Sequence, residues 1–204
     1  MGCSAARDSV PGCVGPASLA KVKRSGMSVE KYKLKSKHTW KSKPGYNICV
    51  LERGLVRFDY PSNWIVETED GAVLLHDRPP SIESCDLGVS LFRISAEEIA
   101  GVSMDELLVN SLGPERKAYQ QSEIRHVQRG DVEIAWLEQR YVHIEQNRDA
   151  RFRVALARGP VVVLISMNYW SDRAAGLERV WEEVLRTLML DIHVTDPTAG
   201  PVVQ

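Results

Sequence analysis

Between residues 122 and 170 apolar and polar positions alternate in three long runs. Ile124 to Gln128 turns at Arg129-Gly130-Asp131 into Val132 to Ile144, and Asn147-Arg148-Asp149 turns into Arg151 to Ala157. In the last of these Phe152, Val154 and Leu156 take one face and Arg151 and Arg153 the other, the period of two that a pleated strand imposes. Arg158-Gly159-Pro160 then leads into Val161 to Trp170, which opens on five apolar residues in a row, Val161 to Ile165. A strand apolar on both faces belongs at the centre of a sheet, with a helix on at least one side. Turn residues between alternating runs predict an antiparallel meander.

Shorter runs precede it. Ile48–Leu51 and Leu55–Tyr60 flank Arg53-Gly54, a tight turn. Ile65-Val66 and Ala72–Leu75 flank Glu67-Thr68-Glu69-Asp70-Gly71, where Asp-Gly predicts a hairpin because glycine accepts positive φ and aspartate tolerates it. Leu87 to Ile94 alternates until its phase slips near Phe92, which marks a bulge or a strand end. The period then changes to that of a helix. Ser103-Met104-Asp105-Glu106 is a capping box, Val102 and Leu107 fit a hydrophobic staple, and Met104, Leu107, Leu108 and Leu112 form one stripe that Gly113-Pro114 ends. A longer helix follows Trp170, with Ser171 as its expected cap and Leu177, Trp181, Val184 and Leu188 as its stripe, which Val180 and Leu185 widen.

Strands, a short helix, a meander and a long helix in that order predict an α+β fold, an antiparallel β-sheet flanked by helices in an αβα sandwich. The pattern resembles the Mog1/PsbP-like family and its small bacterial relatives. The residues that carry the resemblance are Phe58-Asp59-Tyr60-Pro61-Ser62-Asn63-Trp64, standing for the family's Phe-x-x-Pro-x-x-Trp, with the helix at Ser103, Gly130 before the longest strand, and the closing amphipathic helix. The resemblance implies a small scaffold used for binding, in a family whose members include a Ran-binding import factor, a photosystem II extrinsic subunit and chaperones of secretion effectors. It carries no partner-binding residue over to this chain. The expected organisation is a disordered segment 1–26, a basic lead-in 27–47, one domain over 48–190 and a loose tail 191–204. Gly2 to Gly26 is rich in Gly, Pro, Ser and Ala, and Met27 is an alternative start.

Composition alters this picture in one respect. The chain of 204 residues has a formal charge of −1, yet residues 1–60 contain twelve basic and four acidic residues, so a segment of +8 balances a remainder of −9. The basic residues gather between Lys21 and Lys43. In Lys31-Tyr32-Lys33-Leu34-Lys35-Ser36-Lys37-His38 they fall at every second position, the spacing of an edge strand that uses lysine to discourage pairing. The alternative is that the basic segment docks on the acidic body of its own chain. Nucleic acid is a disfavoured partner, since the lysines come with no recognition motif. No apolar run approaches the length of a membrane span, and the first 26 residues lack the apolar core of an export signal, so the expected location is the cytoplasm.

The densest polar chemistry lies in His76-Asp77-Arg78-Pro79-Pro80-Ser81-Ile82-Glu83-Ser84-Cys85-Asp86. His76, Asp77, Glu83, Cys85 and Asp86 are the one candidate metal cluster, and His76 with Cys85 is the one candidate base and nucleophile pair. Their spacing matches no zinc or EF-hand template, and a surface connection explains the prolines and serines as well. With no phosphate loop, nucleophile elbow or His-Glu-x-x-His, no catalytic residue and no cofactor is expected. The expected function is a non-catalytic protein-binding module, an adaptor or chaperone whose partner is another protein. The alternative is a small-ligand binder or enzyme with a pocket near His76 and Cys85. Trp64 and Trp181 are expected in the core; Trp40 and Trp170 are not assigned.

Overall fold

The computed structural model describes residues 32–69, 71–94, 101–113 and 117–201. Eleven strands and two α-helices occur among them. The strands are β1 (Tyr46–Leu51), β2 (Val56–Pro61), β3 (Ile65–Glu69), β4 (Ala72–His76), β5 (Asp86–Phe92), β6 (Ala118–Gln121), β7 (Arg125–Arg129), β8 (Val132–His143), β9 (Arg148–Arg158), β10 (Val162–Trp170) and β11 (Met189–Leu190). The helices are α1 (Met104–Ser111) and α2 (Ala174–Thr187). The main sheet runs β3-β4-β5-β10-β9-β8-β6, with β7 also paired to β8, and every pairing is antiparallel. A second sheet, β1-β2-β11, lies beside α2. This is the expected α+β architecture.

The all-apolar run at Val161–Ile165 explains the centre. In β10, Val163 and Ile165 face one core and Val162 and Leu164 the other. The larger core lies under α2 and the small sheet, where Phe58, Val89, Ile165 and Trp181 are fully buried. The smaller lies under α1, where Met104 and Leu108 meet Leu137, Val154 and Leu156. Helix α1 starts as expected. The Ser103 hydroxyl accepts from the Glu106 N–H at 3.1 Å, and the Glu106 carboxylate accepts from the Ser103 N–H at 3.3 Å. Strand β5 ends at Phe92 rather than bulging, with Leu91 and Phe92 buried in opposite cores. Trp40, Trp64, Trp170 and Trp181 are all buried.

Three expectations are corrected. Ser171 does not cap α2: Ser171–Arg173 form a single 3-10 turn, the helix begins at Ala174, and no side chain caps it. The chain leaves β10 at Trp170 and needs those three residues to swing onto the helix axis. The described part of the lysine repeat, from Tyr32, is not a strand. Its backbone makes no ladder: Lys35 N–H donates to the Thr198 carbonyl at 3.0 Å, Thr39 N–H to the Ala199 carbonyl at 2.8 Å, and His38 N–H closes a local turn on the Lys35 carbonyl at 3.2 Å, so period-two lysines here decorate an irregular segment. The tail is not loose over its described length. Asp191, Ile192 and Val194 donate their backbone N–H groups to Leu55, Gly54 and Arg53, the Trp40 indole donates to the Pro197 carbonyl at 2.8 Å, and Val194 is buried. The pull of Pro197, Gly200 and Pro201 toward disorder is overridden by these long-range partners. The expected disorder of residues 1–26 lies outside the described residues.

The described part of the basic segment docks on the chain's own acidic groups through two lysines. Lys35 pairs with Asp196 at 2.6 Å and Lys43 with Glu183 at 3.1 Å. Lys43 also sits over the Tyr46 ring. No helix among the described residues is long and apolar enough to cross a membrane.

Candidate functional site

The loop joining β4 to β5 carries all the chemistry singled out in the sequence, and its geometry is that of a brace. His76 and Asp86 face each other as a register pair across these strands. The His76 Nδ1–H donates to Asp86 Oδ1 at 2.7 Å, and the Ser84 hydroxyl donates to the same oxygen at 2.7 Å. His76 is buried, and its Nε2 lies 3.9 Å from a carboxylate oxygen of Glu67 on the edge strand β3. Asp77 accepts from the Cys85 backbone N–H at 2.8 Å and pairs with Arg173 at the start of α2. Arg173 also donates to the Glu83 carbonyl at 2.8 Å. Glu83 holds Arg148 through both carboxylate oxygens, at 2.9 and 3.0 Å, and Arg148 reaches Asp172 at 2.6 Å.

These partners decide what the five residues can do. Asp77 and Glu83 spend their carboxylates on arginines and Asp86 on His76 and Ser84. Among the described residues no three His, Cys, Asp or Glu side chains converge as metal ligands. Cys85 is 0% exposed. Burial, reinforced by the nearby Asp77 and Asp86 charges, pushes its thiol well above the ordinary value. A thiol held protonated and away from solvent is a poor nucleophile, since the thiolate is the reactive form. The arrangement fastens a loop, through ion pairs, to the β8–β9 hairpin and to α2.

The fastened loop presents Ile82, which is 53% exposed while its carbonyl accepts from the Trp170 indole at 2.9 Å. Trp170 is buried at the end of β10. Its ring meets His143 edge-on at 5.5 Å and carries Arg148 at 4.6 Å. Ile144, the residue after His143, opens the hairpin turn and is 84% exposed. Asn147 completes that turn with a φ of 44°, a conformation asparagine tolerates better than most residues. Val142 is 43% exposed and opposite Asp149, whose carboxylate accepts from the hydroxyl of Tyr119, itself 58% exposed. Four of the large exposed apolar side chains thus share one end of the sheet. The Trp170 ring that bonds the Ile82 carbonyl is itself fixed by His143 and Arg148.

No motif in the sequence marks this end. Ile144 closes an alternating run and reads there as an ordinary strand residue; only its place beside the Asn147 turn hints at exposure. A second unanticipated group lies on the sheet face under α2. Glu138 accepts from Arg153 at 2.7 Å and from Arg140 at 3.2 Å, and Arg153 also lies 3.1 Å from Glu178 of α2. The Trp136 ring stands edge-on to Trp181 at 6.1 Å and has Arg125 over it at 4.9 Å. The alternation at Arg151 and Arg153 signals the side of the sheet they take, but not their burial.

A protein-family model described as Alr1449 matches residues 47–194. The chain is 30% identical over 187 residues to a protein of Nostoc sp. strain PCC 7120 described as "Uncharacterized protein alr1449", an alignment covering 89% of this chain and 97% of that one. Among solved structures it is similar to the solution structure of cyanobacterial PsbP (CyanoP) from Synechocystis sp. PCC 6803, with a TM-score of 0.51, 17% identity, and coverage of 74% of this chain and 95% of that one. A crystal structure from Bacteroides thetaiotaomicron VPI-5482 matches with a TM-score of 0.50 and 17% identity over 72% of this chain. The chain spans about half, 48%, of that structure's length. At these identities the structural likeness is one of fold: the sandwich is PsbP-like.

Proposed function

This chain belongs to the Alr1449 family, and from its own surface we propose that it is a non-catalytic protein-binding module, an adaptor or chaperone of the wider Mog1/PsbP-like group. The observation that carries the reading is that Ile82, Val142, Ile144 and Tyr119, all exposed, lie on the loops and strand ends at one end of the sheet. Clustered exposed apolar side chains on a soluble scaffold mark interaction sites, whereas the same residues scattered singly would mean nothing. The brace beneath supports the reading too. A loop held by Arg148 and Arg173 loses little conformational freedom on binding, and pre-organisation of that kind leaves more of the contact energy as affinity.

The partner on this reading is another protein that offers an apolar side chain to Ile82 and Ile144 and polar groups to the Arg148, Glu83 and Asp172 rim. The proposed compartment is the cytoplasm, which fractionation of the host checks. The function is tested by affinity capture from the native host with the full chain and two variants. Ile144→Asp is expected to lose the recovered partner. Val109→Asp, which places the same charge on an exposed apolar position of α1, is expected to keep it. Recovery of no protein above background by the unaltered chain, or equal recovery by both variants, overturns the reading.

A further inference from the structure

Away from the hairpin end, the lead-in, β2, the end of α2 and β11 line an open surface cavity of about 350 Å³. Its lining includes Lys41, Lys43, Arg57, Asp59, Arg186 and Met189. That volume lies within the range of small-molecule sites. Two of its members are buried charges. Arg57 donates to the Thr187 carbonyl at 3.0 Å and to the Lys41 carbonyl at 2.7 Å, and its Nη2 lies 2.6 Å from Asp59 Oδ1. The Asp59 backbone N–H donates to the Thr187 hydroxyl at 2.8 Å. Arg57 and Asp59 are each more than nine-tenths buried, so their positions are fixed by the fold.

The charges do not cancel. Arg57 and Asp59 neutralise each other. Lys43 and Arg186 share one carboxylate, Glu183, at 3.1 and 2.6 Å. Lys41 has no carboxylate partner among the described residues. Two positive charges are therefore left over. Asp59 Oδ1 is closed to solvent and held against Arg57, so Asp59 serves to fix the guanidinium. Met189, half-exposed, supplies an apolar wall.

We propose that this cavity binds a small phosphate monoester, its dianionic phosphate held by Lys41, Lys43 and Arg186 and its ester group lying against Met189. A phosphate group at neutral pH carries a charge of about −1.5 to −2, which matches the excess of two. A bare carboxylate would leave about one of those charges unanswered. The site is separate from the hairpin end, so partner capture and ligand binding fail or succeed independently.

The test uses the whole chain and calorimetric titration at fixed ionic strength, with inorganic phosphate and glycerol 3-phosphate as probes and chloride as the control. Saturable one-site binding is expected for both. Lys41→Gln is expected to weaken both at least fivefold. Lys37→Gln, on the same lead-in but outside the cavity, is expected to leave both unchanged. Lys41 is on the surface, and circular dichroism confirms that its variant is folded. Absence of saturation, equal affinity for chloride, or indifference to Lys41→Gln overturns the proposal.

Discussion

Replacing Glu138 by glutamine removes one negative charge from the centre of the arginine group under α2 and keeps its shape. Arg153, almost wholly buried, would then retain only Glu178, 3.1 Å away. Breaking a buried pair by removing one partner costs about 3–5 kcal/mol, because the other charge stays buried and uncompensated. Here Glu178 takes up part of that charge and Arg140 turns toward solvent, so the expected loss is about 2 kcal/mol. In urea, with a slope of about 2 kcal/mol/M for a domain of this size, the midpoint should fall by about 1 M with the slope unchanged. The double variant Glu138→Met, Arg153→Met should recover to within about 1 kcal/mol of the unaltered protein, since a hydrophobic replacement of a whole buried pair is close to neutral. Acidification supplies a second readout. Burial pushes the Glu138 carboxyl up, but Arg153, Arg140 and Arg151 outweigh it and hold it below the ordinary glutamate value. A carboxylate lowered in the folded state contributes stability that is complete above its unfolded value, near 4.5, and drains away as the pH falls through its folded value. The unaltered protein should lose stability over that interval, and Glu138→Gln should lose less. A midpoint shift below about 0.25 M, or a double variant no more stable than the single one, would refute the claim that this carboxylate compensates Arg153.

Alkylation of the native protein followed by peptide mapping should leave Cys49 and Cys85 unmodified at pH 8 and label both after unfolding; burial pushes the Cys49 thiol up to about 12 and the Cys85 thiol well above its usual value. Labelling of Cys85 in the folded state would restore the nucleophile that its burial removes. Gly200 has a φ of +98°, and a Cβ there would meet the Trp40 backbone nitrogen at 3.0 Å. Gly200→Ala should therefore cost about 1–2 kcal/mol for the left-handed conformation alone and speed amide exchange at Thr39, and an unchanged melting curve would count against a packed tail. Ser103→Ala should lower stability by about 1 kcal/mol through loss of the α1 cap, and Ser171→Ala by less than half of that, as thermal unfolding of the pair would show.

Legibility followed the range of the interactions. The antiparallel meander, the central position of Val161–Ile165 and the capping box at Ser103 rest on period and on contacts three or four residues apart, and all are plain in the sequence. The stripe of α2 was legible too, but not its start, because the 3-10 turn at Ser171 depends on where β10 delivers the chain. Lysines at alternate positions carry the period of a strand without the neighbour that makes one, and the partners of that segment lie some 160 residues away at Thr198 and Ala199. The polar loop from His76 to Asp86 was conspicuous by composition. Whether those side chains served a metal or a brace turned on Arg148 and Arg173, which no local pattern connects to them. The exposed end around Ile144 was the least legible, since exposure is a property of what fails to cover a residue.

The meeting of Lys35 with Thr198 and of Thr39 with Ala199 brings the two outer parts of the described chain side by side. Over the described residues the backbone is in that sense nearly a closed ring. A permuted chain that joins these parts through a short glycine-serine linker and opens instead at the Gly130-Asp131 turn would keep every strand pairing of the main sheet intact, the β7–β8 hairpin included. Such turns are where new ends are best tolerated. In the permuted chain the contacts now made across the greatest sequence separation would become local, and β7 and β8 would have to find each other from opposite ends. Folding rate tracks that separation more closely than stability does. The rearranged protein should therefore fold by a different order of events to the same sandwich.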